Sequence, residues 1–268
     1  MNMNMNIINS VTLSLSRYCE KQKAKRRVRK SRNYWESIKG IHTGKRGFVI
    51  GNGPSLTINQ LNQIKSEFSI ACNKVYLAFG QTEWRPTYYT VCDVILWNKI
   101  KNELLEYVDR VHIPSYLNNV PHALQQRCFT WRSLSMRRHP NVGEFYFSAD
   151  LTQGTFPGGT VTYDNLQLAM HLGLNPIYII GCDHHYAGED AVAGRSQVIE
   201  APNIKNHFIE GYRQPGEKVP SADIALMTES YVRARRFAEK RGIEIFNATP
   251  GGHLEVYERV AFESLFKF

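Results

Sequence analysis

Ile177-Tyr178-Ile179-Ile180 is a run of four apolar residues without polar alternation, preceded by Asn175-Pro176 and closed by Gly181. A strand that is apolar at successive positions has both faces covered, as in a parallel sheet between two helical layers. The sign recurs along the chain. Residues 47–50, 68–72 and 88–92 are short apolar runs, 108–113 is a fourth with Asp109 and Arg110 inside it, and 243–246 is the last. Residues 145–147 are a weaker strand candidate. Helical stretches separate them: one reaching about Lys65, one over 160–172 with Val161, Leu166, Leu168, Ala169 and Leu172 at helical spacing, and one over 222–241. The pattern predicts an α/β domain built on a doubly wound, mostly parallel sheet.

Composition narrows the setting. The chain of 268 residues has no run of eighteen apolar residues, so no helix is expected to span a membrane. The N-terminus lacks a basic n-region and a sustained apolar stretch, which argues against a signal peptide. Cys19, Cys72, Cys92, Cys128 and Cys182 are an odd, widely spaced set without Cys-x-x-Cys, as expected of reduced thiols in a cytoplasmic protein. The charge is localised: residues 17–46 hold twelve Lys or Arg against Glu20 and Glu36, more than the whole net charge of +9. The expected division is therefore a basic N-terminal arm, 1–45, followed by a single Rossmann-like domain, 46–268. Such an arm suits an anionic membrane surface, with Tyr34 and Trp35 closing it as interfacial anchors. No nucleic-acid-binding motif accompanies it, so no nucleic acid is expected as partner.

In an open parallel sheet, ligands sit outside the carboxyl ends of the strands. The residues just after each strand therefore belong together: 51–55, Asn73, Asp93, 181–186 and 247–253. Gly51-Asn52-Gly53-Pro54-Ser55 opens a helix and is read as a phosphate-binding turn, with backbone N–H donors and Ser55 as cap. It is not a Walker A loop, since its lysine is missing, and it lacks the third glycine of the dinucleotide fingerprint. Phe156-Pro157-Gly158-Gly159-Thr160 is a second anion-ready turn, with Thr160 at an N-cap. Gly181-Cys182-Asp183-His184-His185-Tyr186 offers a carboxylate beside two imidazoles that point opposite ways on an extended chain. Nothing completes a metal ligand set, so no metal site is expected. His207 is a further candidate base, and Thr249-Pro250-Gly251-Gly252-His253 brings another glycine turn to the crevice.

Taken in order, Val49 to Leu56, Ala71-Cys72-Asn73, Asp93, Gly158-Gly159-Thr160-Val161 and Leu172-Gly173 through Ile177 to Asp183 resemble the 6-hydroxymethylpterin diphosphokinase MptE-like family. Relatives of that family include motility-associated flagellin glycosyltransferases and, more distantly, the sialyltransferases of glycosyltransferase family 42. The resemblance spans residues 46–255 and implies a Rossmann-like fold. From the sialyltransferases it implies that Gly51, Asn52, Gly53, Ser55 and Asn73 hold a CMP-sugar, with Asp93, Gly159, Thr160, Gly181 and Gly252 around it. It places Asp183 near the nucleotide and a phosphate-steadying tyrosine near His185 or Tyr186. The exact position of their catalytic histidine is Gly211 here, so His207 or His185 takes that role. The expected activity is a glycosyltransferase of bacterial surface polysaccharide or glycoconjugate synthesis, peripheral at the inner face of the membrane. It would take a nucleotide-sugar donor and a glycan or lipid-linked acceptor, and require no cofactor. The alternative is a diphosphokinase moving pyrophosphate from ATP to a pterin-like alcohol, with Mg²⁺ on Asp93 and Asp183. A third reading is a non-enzymatic nucleotide-binding partner protein.

Overall fold

The computed structural model describes residues 2–135, 144–188, 197–214 and 216–266. Its elements are α1 (Asn2–Ile38), β1 (Gly47–Ile50), α2 (Ile58–Gln63), β2 (Phe68–Cys72), β3 (Tyr88–Thr90), α3 (Val94–Ile100), α4 (Leu104–Tyr107), β4 (Val111–Pro114), β5 (Cys128–Trp131), α5 (Val161–His171), β6 (Ile177–Ile180), β7 (Val198–Glu200), β8 (Lys218–Pro220), α6 (Ile224–Glu239), β9 (Ile245–Asn247) and β10 (Glu258–Arg259). Eight strands form one sheet in the order β10-β9-β6-β1-β2-β3-β4-β5, and each neighbouring pair is parallel. β7 and β8 pair antiparallel as a separate ribbon. The fold is the doubly wound α/β class expected from the apolar runs. The strand order reverses between β1 and β6, the switch point where such sheets bind ligands.

Both faces of the sheet are covered, which explains the unbroken apolar runs. Val49, Ile70, Ile177 and Ile179 pack with Leu166 and Phe237 on one face. Phe48, Ile50, Ala71 and Ile180 pack with Leu61 and Trp97 on the other. Several elements are shorter than their sequence patterns: the fourth strand starts at Val111, so Asp109 and Arg110 fall outside it. Residues 145–147 are not a strand. Glu144–Tyr146 is a 3₁₀ turn in which Phe145 and Tyr146 have φ of 60° and 56°, left-handed values that no strand admits.

The basic segment forms a single helix whose last turns join the core. Trp35 is 1% exposed, its Nε1 donates to the Thr130 carbonyl (3.1 Å), and Ser31 Oγ accepts from Thr130 N–H (2.9 Å). Two side chains of α1 thus satisfy the outward backbone groups of the edge strand β5, where a further strand would otherwise pair. Trp35 is therefore not an interfacial anchor, and Tyr34 stacks on Phe129 with ring centroids 3.6 Å apart. Two neutral histidines lock the joint. His112 Nδ1 donates to the Tyr89 carbonyl (2.9 Å) while Nε2 accepts from Tyr34 O–H (2.7 Å). His171 Nε2 donates to the Trp35 carbonyl (2.8 Å). Among the described residues, no helix is long and apolar enough to cross a membrane.

Candidate functional site

A cavity of about 380 Å³ opens outside the carboxyl ends of β1, β2, β3 and β6. Gly51, Asn52, Gly53, Asn73, Asp93, Gly159, Thr160, Gly181, Asp183, His185, Tyr186 and His207 all line it. Ser55 and Gly252 stand behind it, each against Asp183. The residues after β1, β2, β3 and β6 are thus brought to one place, whereas residues 247–253 after β9 stay outside the lining, with Gly252 against Asp183 and His253 beside His185.

The first glycine turn does something other than expected. Gly51 N–H donates to the Ile180 carbonyl and Gly53 N–H to the Gly181 carbonyl, both at 2.8 Å. Ser55 donates to Asp183 Oδ2 through its hydroxyl (2.8 Å) and its N–H (3.4 Å). The ladder between β1 and β6 continues past the strand ends, so these N–H groups are spent on protein acceptors and do not cradle phosphate. The glycines are needed for closeness: a Cβ on Gly51 would lie 2.2 Å from the Gly181 oxygen, and one on Gly53 1.9 Å from Asp183 Oδ2. Ser55 is not the helix cap either. Thr57 caps α2 in a reciprocal pair with Gln60.

What the turn does present is Asn52, and β2 presents Asn73. Asn52 Nδ2 donates to the Cys72 carbonyl (3.2 Å), which aims the amide. Asn73 sits at φ 57°, and its carbonyl accepts from Tyr89 O–H. The Oδ1 atoms of both asparagines are buried and lack a hydrogen-bond partner. A buried acceptor left unpaired costs about 1–3 kcal/mol, so two of them in one cavity mark a place for a ligand that carries donors. The positive end of a helix comes from α5: Thr160 caps it by accepting from Thr162 N–H (3.3 Å), and Thr160, Val161 and Thr162 line the cavity. Asp93 Oδ1 is occupied in capping α3 through Leu96 N–H (2.8 Å).

The histidines separate by environment. His184 also lines the cavity but is engaged with Thr228 Oγ1 (2.7 Å) and edge-on to Tyr231, while the exposed His185 has its ring 5.2 Å from that of His253. His207 is buried and stacked flat on Tyr212, centroids 3.7 Å apart. Burial, then the Arg213 and Lys74 cations, hold its imidazole down to about 3. It is therefore neutral at pH 7 but a weak proton acceptor.

Asp164, passed over in the sequence, also lines the cavity. Burial pushes its carboxyl up to about 7, against hydrogen bonds from Thr155 Oγ1 (2.8 Å) and Cys92 that favour the charged form. An acid in a first helical turn reads as an ordinary dipole partner. The missing signal was that residues 162–171 are buried on every side, which leaves Asp164 no solvent to face. Lys74, another buried cation by the cavity, donates to the Tyr212 carbonyl (2.6 Å) and lies 3.7 Å from Glu217.

Comparison with known proteins gives the family and the fold. The sequence model of the 6-hydroxymethylpterin diphosphokinase MptE-like family matches residues 20–189. The MAf glycosyltransferase from Magnetospirillum magneticum AMB-1 superposes with a TM-score of 0.53 at 14% identity, over 89% of this chain and 38% of that one. This chain thus spans well under half the length of that enzyme. The sialyltransferase CstII from Campylobacter jejuni, in complex with cytidine-5′-monophosphate, gives a TM-score of 0.47 at 14% identity, over 82% of this chain and 86% of that one. No match is found among curated protein sequences.

Proposed function

This chain belongs to the 6-hydroxymethylpterin diphosphokinase MptE-like family, and on that premise we propose that it is a glycosyltransferase using a nucleotide-activated sugar, a CMP-sugar before others. The acceptor is a hydroxyl of a glycan or lipid-linked intermediate in bacterial surface polysaccharide or glycoconjugate synthesis, met at the inner face of the membrane, where the basic segment holds the enzyme. The observation that carries the reading is the pair of unpartnered acceptors, Asn52 Oδ1 and Asn73 Oδ1, in a cavity at the sheet's switch point. Ribose hydroxyls and the exocyclic amine of a base are the donors that such a pair takes. The MAf glycosyltransferase shares the fold, which fits.

The reaction is a direct displacement. The acceptor oxygen bonds to the anomeric carbon, the bond from that carbon to the phosphate oxygen breaks, and the electron pair leaves on the phosphate. The N-terminal end of α5 and Tyr186 face that developing charge. Asp183 and Asp93 each keep one carboxylate oxygen outside the bonds that hold their own turns, and orient sugar hydroxyls. The hydroxyl proton passes to His185 or Asp164. His207, stacked on Tyr212 and held down as a base by its burial, positions that tyrosine.

A thermal-shift panel of CMP, CDP, UDP, GDP, ADP and ATP, each with Mg²⁺ and with EDTA, tests the reading. A ligand at a hundred times its Kd adds about 2.7 kcal/mol of stability. Stabilisation by CMP in EDTA is the expected result.

The family's own name favours a second reading, a diphosphokinase acting on ATP. Its Mg²⁺ would fall to the second carboxylate oxygens of Asp93 and Asp183, the first being held by Leu96 N–H and by Ser55. Among the described residues, no cluster of three or more His, Cys, Asp or Glu could hold a metal ion. Mg²⁺ would therefore rest on these two carboxylates together with the phosphates of ATP. Stabilisation by ATP or ADP only with Mg²⁺ would reverse the preference.

A further inference from the structure

We infer that the exposed part of α1, residues 14–26, docks on an anionic lipid bilayer and brings that bilayer alongside the loop of residues 116–120, whose Tyr116 lines the cavity. The inference rests on the proposed function only for its purpose, because the bilayer would be the source of a lipid-linked acceptor.

Direction is the first argument. Tyr34 meets His112 inside β4, whereas Arg27 donates to the Leu117 carbonyl (2.7 Å) and lies 3.4 Å from Asn118 Oδ1, both beyond the carboxyl end of β4. From N- to C-terminus α1 therefore runs antiparallel to the strands; followed toward its N-terminus it heads along the strand direction and leaves the body at the edge where the cavity opens. Its point of departure is one residue from Tyr116, which lines the cavity and donates to the Cys92 carbonyl (2.8 Å). From Arg27 back to Asn2 the helix continues for about 37 Å.

Charge is the second argument. The structure divides the basic segment in two. Arg27, Lys39 and Arg46 serve the body, bound to Leu117, Asp150 and Glu67. Arg17, Lys21, Lys25 and Arg26 are exposed on the projecting part. Leu15 and Tyr18, 60% and 61% exposed, lie among them. Tyr18, Lys21 and Lys25 fall on one helical face, an aromatic ring with long-stemmed cations beside it. That combination suits the interface of an anionic bilayer: the ring enters the headgroup region and the lysines reach the phosphates. Arg29, Lys30 and Arg32 are exposed on the docked half too, with Arg32 paired to Glu36; the binding is placed on the projecting half because there the cations stand beside the exposed Leu15 and Tyr18.

Co-sedimentation of the full chain with phosphatidylcholine vesicles, and with vesicles that also contain phosphatidylglycerol, tests the partner without nucleotide or acceptor. Binding is expected only with phosphatidylglycerol, weakening as salt rises. The variant R17Q/K21Q/K25Q/R26Q, which keeps good helix formers, should bind about a hundredfold less tightly or worse. Hydrogen exchange on the vesicle-bound chain should show added protection in residues 14–26 and 116–120, and none in 40–44 or 80–83 at the opposite edge of the sheet. Equal binding to neutral vesicles, no binding, or an unaffected variant overturns the partner. So does duplex DNA displacing the vesicles, or sedimentation velocity showing that the segment instead joins copies of the chain. Protection confined to the helix overturns the placement beside the rim. Because these readouts contain no sugar nucleotide, a failed nucleotide panel and a failed vesicle assay are told apart.

Discussion

Ser55 and Asp183 are 128 positions apart in the chain, yet the serine hydroxyl donates to Asp183 Oδ2 at 2.8 Å and its N–H to the same oxygen at 3.4 Å. This contact ties the turn after β1 to the turn after β6 and closes the floor of the cavity. Gly53 lies beneath it, with no room for a Cβ beside the carboxylate. Gly53→Ala should therefore cost about 2 kcal/mol or more by pushing Asp183 aside. Ser55→Ala, which removes one partly exposed hydrogen bond, should cost about 1 kcal/mol. Denaturant midpoints at unchanged slope measure both, and the reverse ranking would show that the turn is held some other way.

Asn73→Gly tests the ligand-facing acceptor without straining the chain, because glycine tolerates the φ of 57° at that position. The apo protein should melt close to wild type. Its stabilisation by the best nucleotide of the panel should fall, with Kd weakened about tenfold, the equivalent of 1.4 kcal/mol. Unchanged nucleotide affinity would remove Asn73 from the site.

Asp164 sets a dependence on pH. Its carboxyl titrates at about 7 in the folded chain against a reference of 3.8, so the folded state holds the proton more tightly. Stability then falls as pH rises from 3.8 to 7, by a total on the order of 4 kcal/mol. Asp164→Asn removes that penalty: it should raise the melting temperature at pH 8 and leave it nearly unchanged at pH 4. If Asp164 also accepts the acceptor's proton, the same variant loses transfer activity at every pH while His207→Ala keeps more of it. A variant no more stable at pH 8 than wild type would contradict the raised value.

His112 works in the opposite direction. Burial holds its imidazole down to about 4 from 6.5, and the ring stays neutral between Tyr34 and Tyr89. Its contribution is intact above pH 6.5 and is lost as pH falls toward 4, about 3 kcal/mol in all. Acid unfolding should therefore begin at the joint between α1 and the sheet. Hydrogen exchange at pH 5 should show residues 27–38 opening before β1 and β6, and simultaneous opening would argue against a weak joint.

Much of the fold was legible because its causes are local. Four apolar residues at 177–180 need cover on both faces wherever they lie, and a glycine turn after such a strand falls at the ligand edge of a parallel sheet. β5, β10 and the β7–β8 ribbon were not legible. Cys128–Trp131 owes its edge position to α1, whose Ser31 and Trp35 satisfy Thr130 from 99 and 95 positions away. No window of sequence contains both partners.

The sequence by itself determined the α/β class, the order of strands and helices around the crevice, and the post-strand polar residues gathered there, though not Asp164, because periodicity and turn chemistry act over a few residues. Only the tertiary structure decided what each of those residues does. It placed the Ile180 and Gly181 carbonyls where the Gly51 and Gly53 N–H groups would otherwise have met a phosphate. It buried His207 beside two cations and weakened it as a base, and it shut Asp164 away from water and raised its affinity for a proton. Hydrogen-bond partners and desolvation are set by groups distant in the chain, and folding alone brings those together.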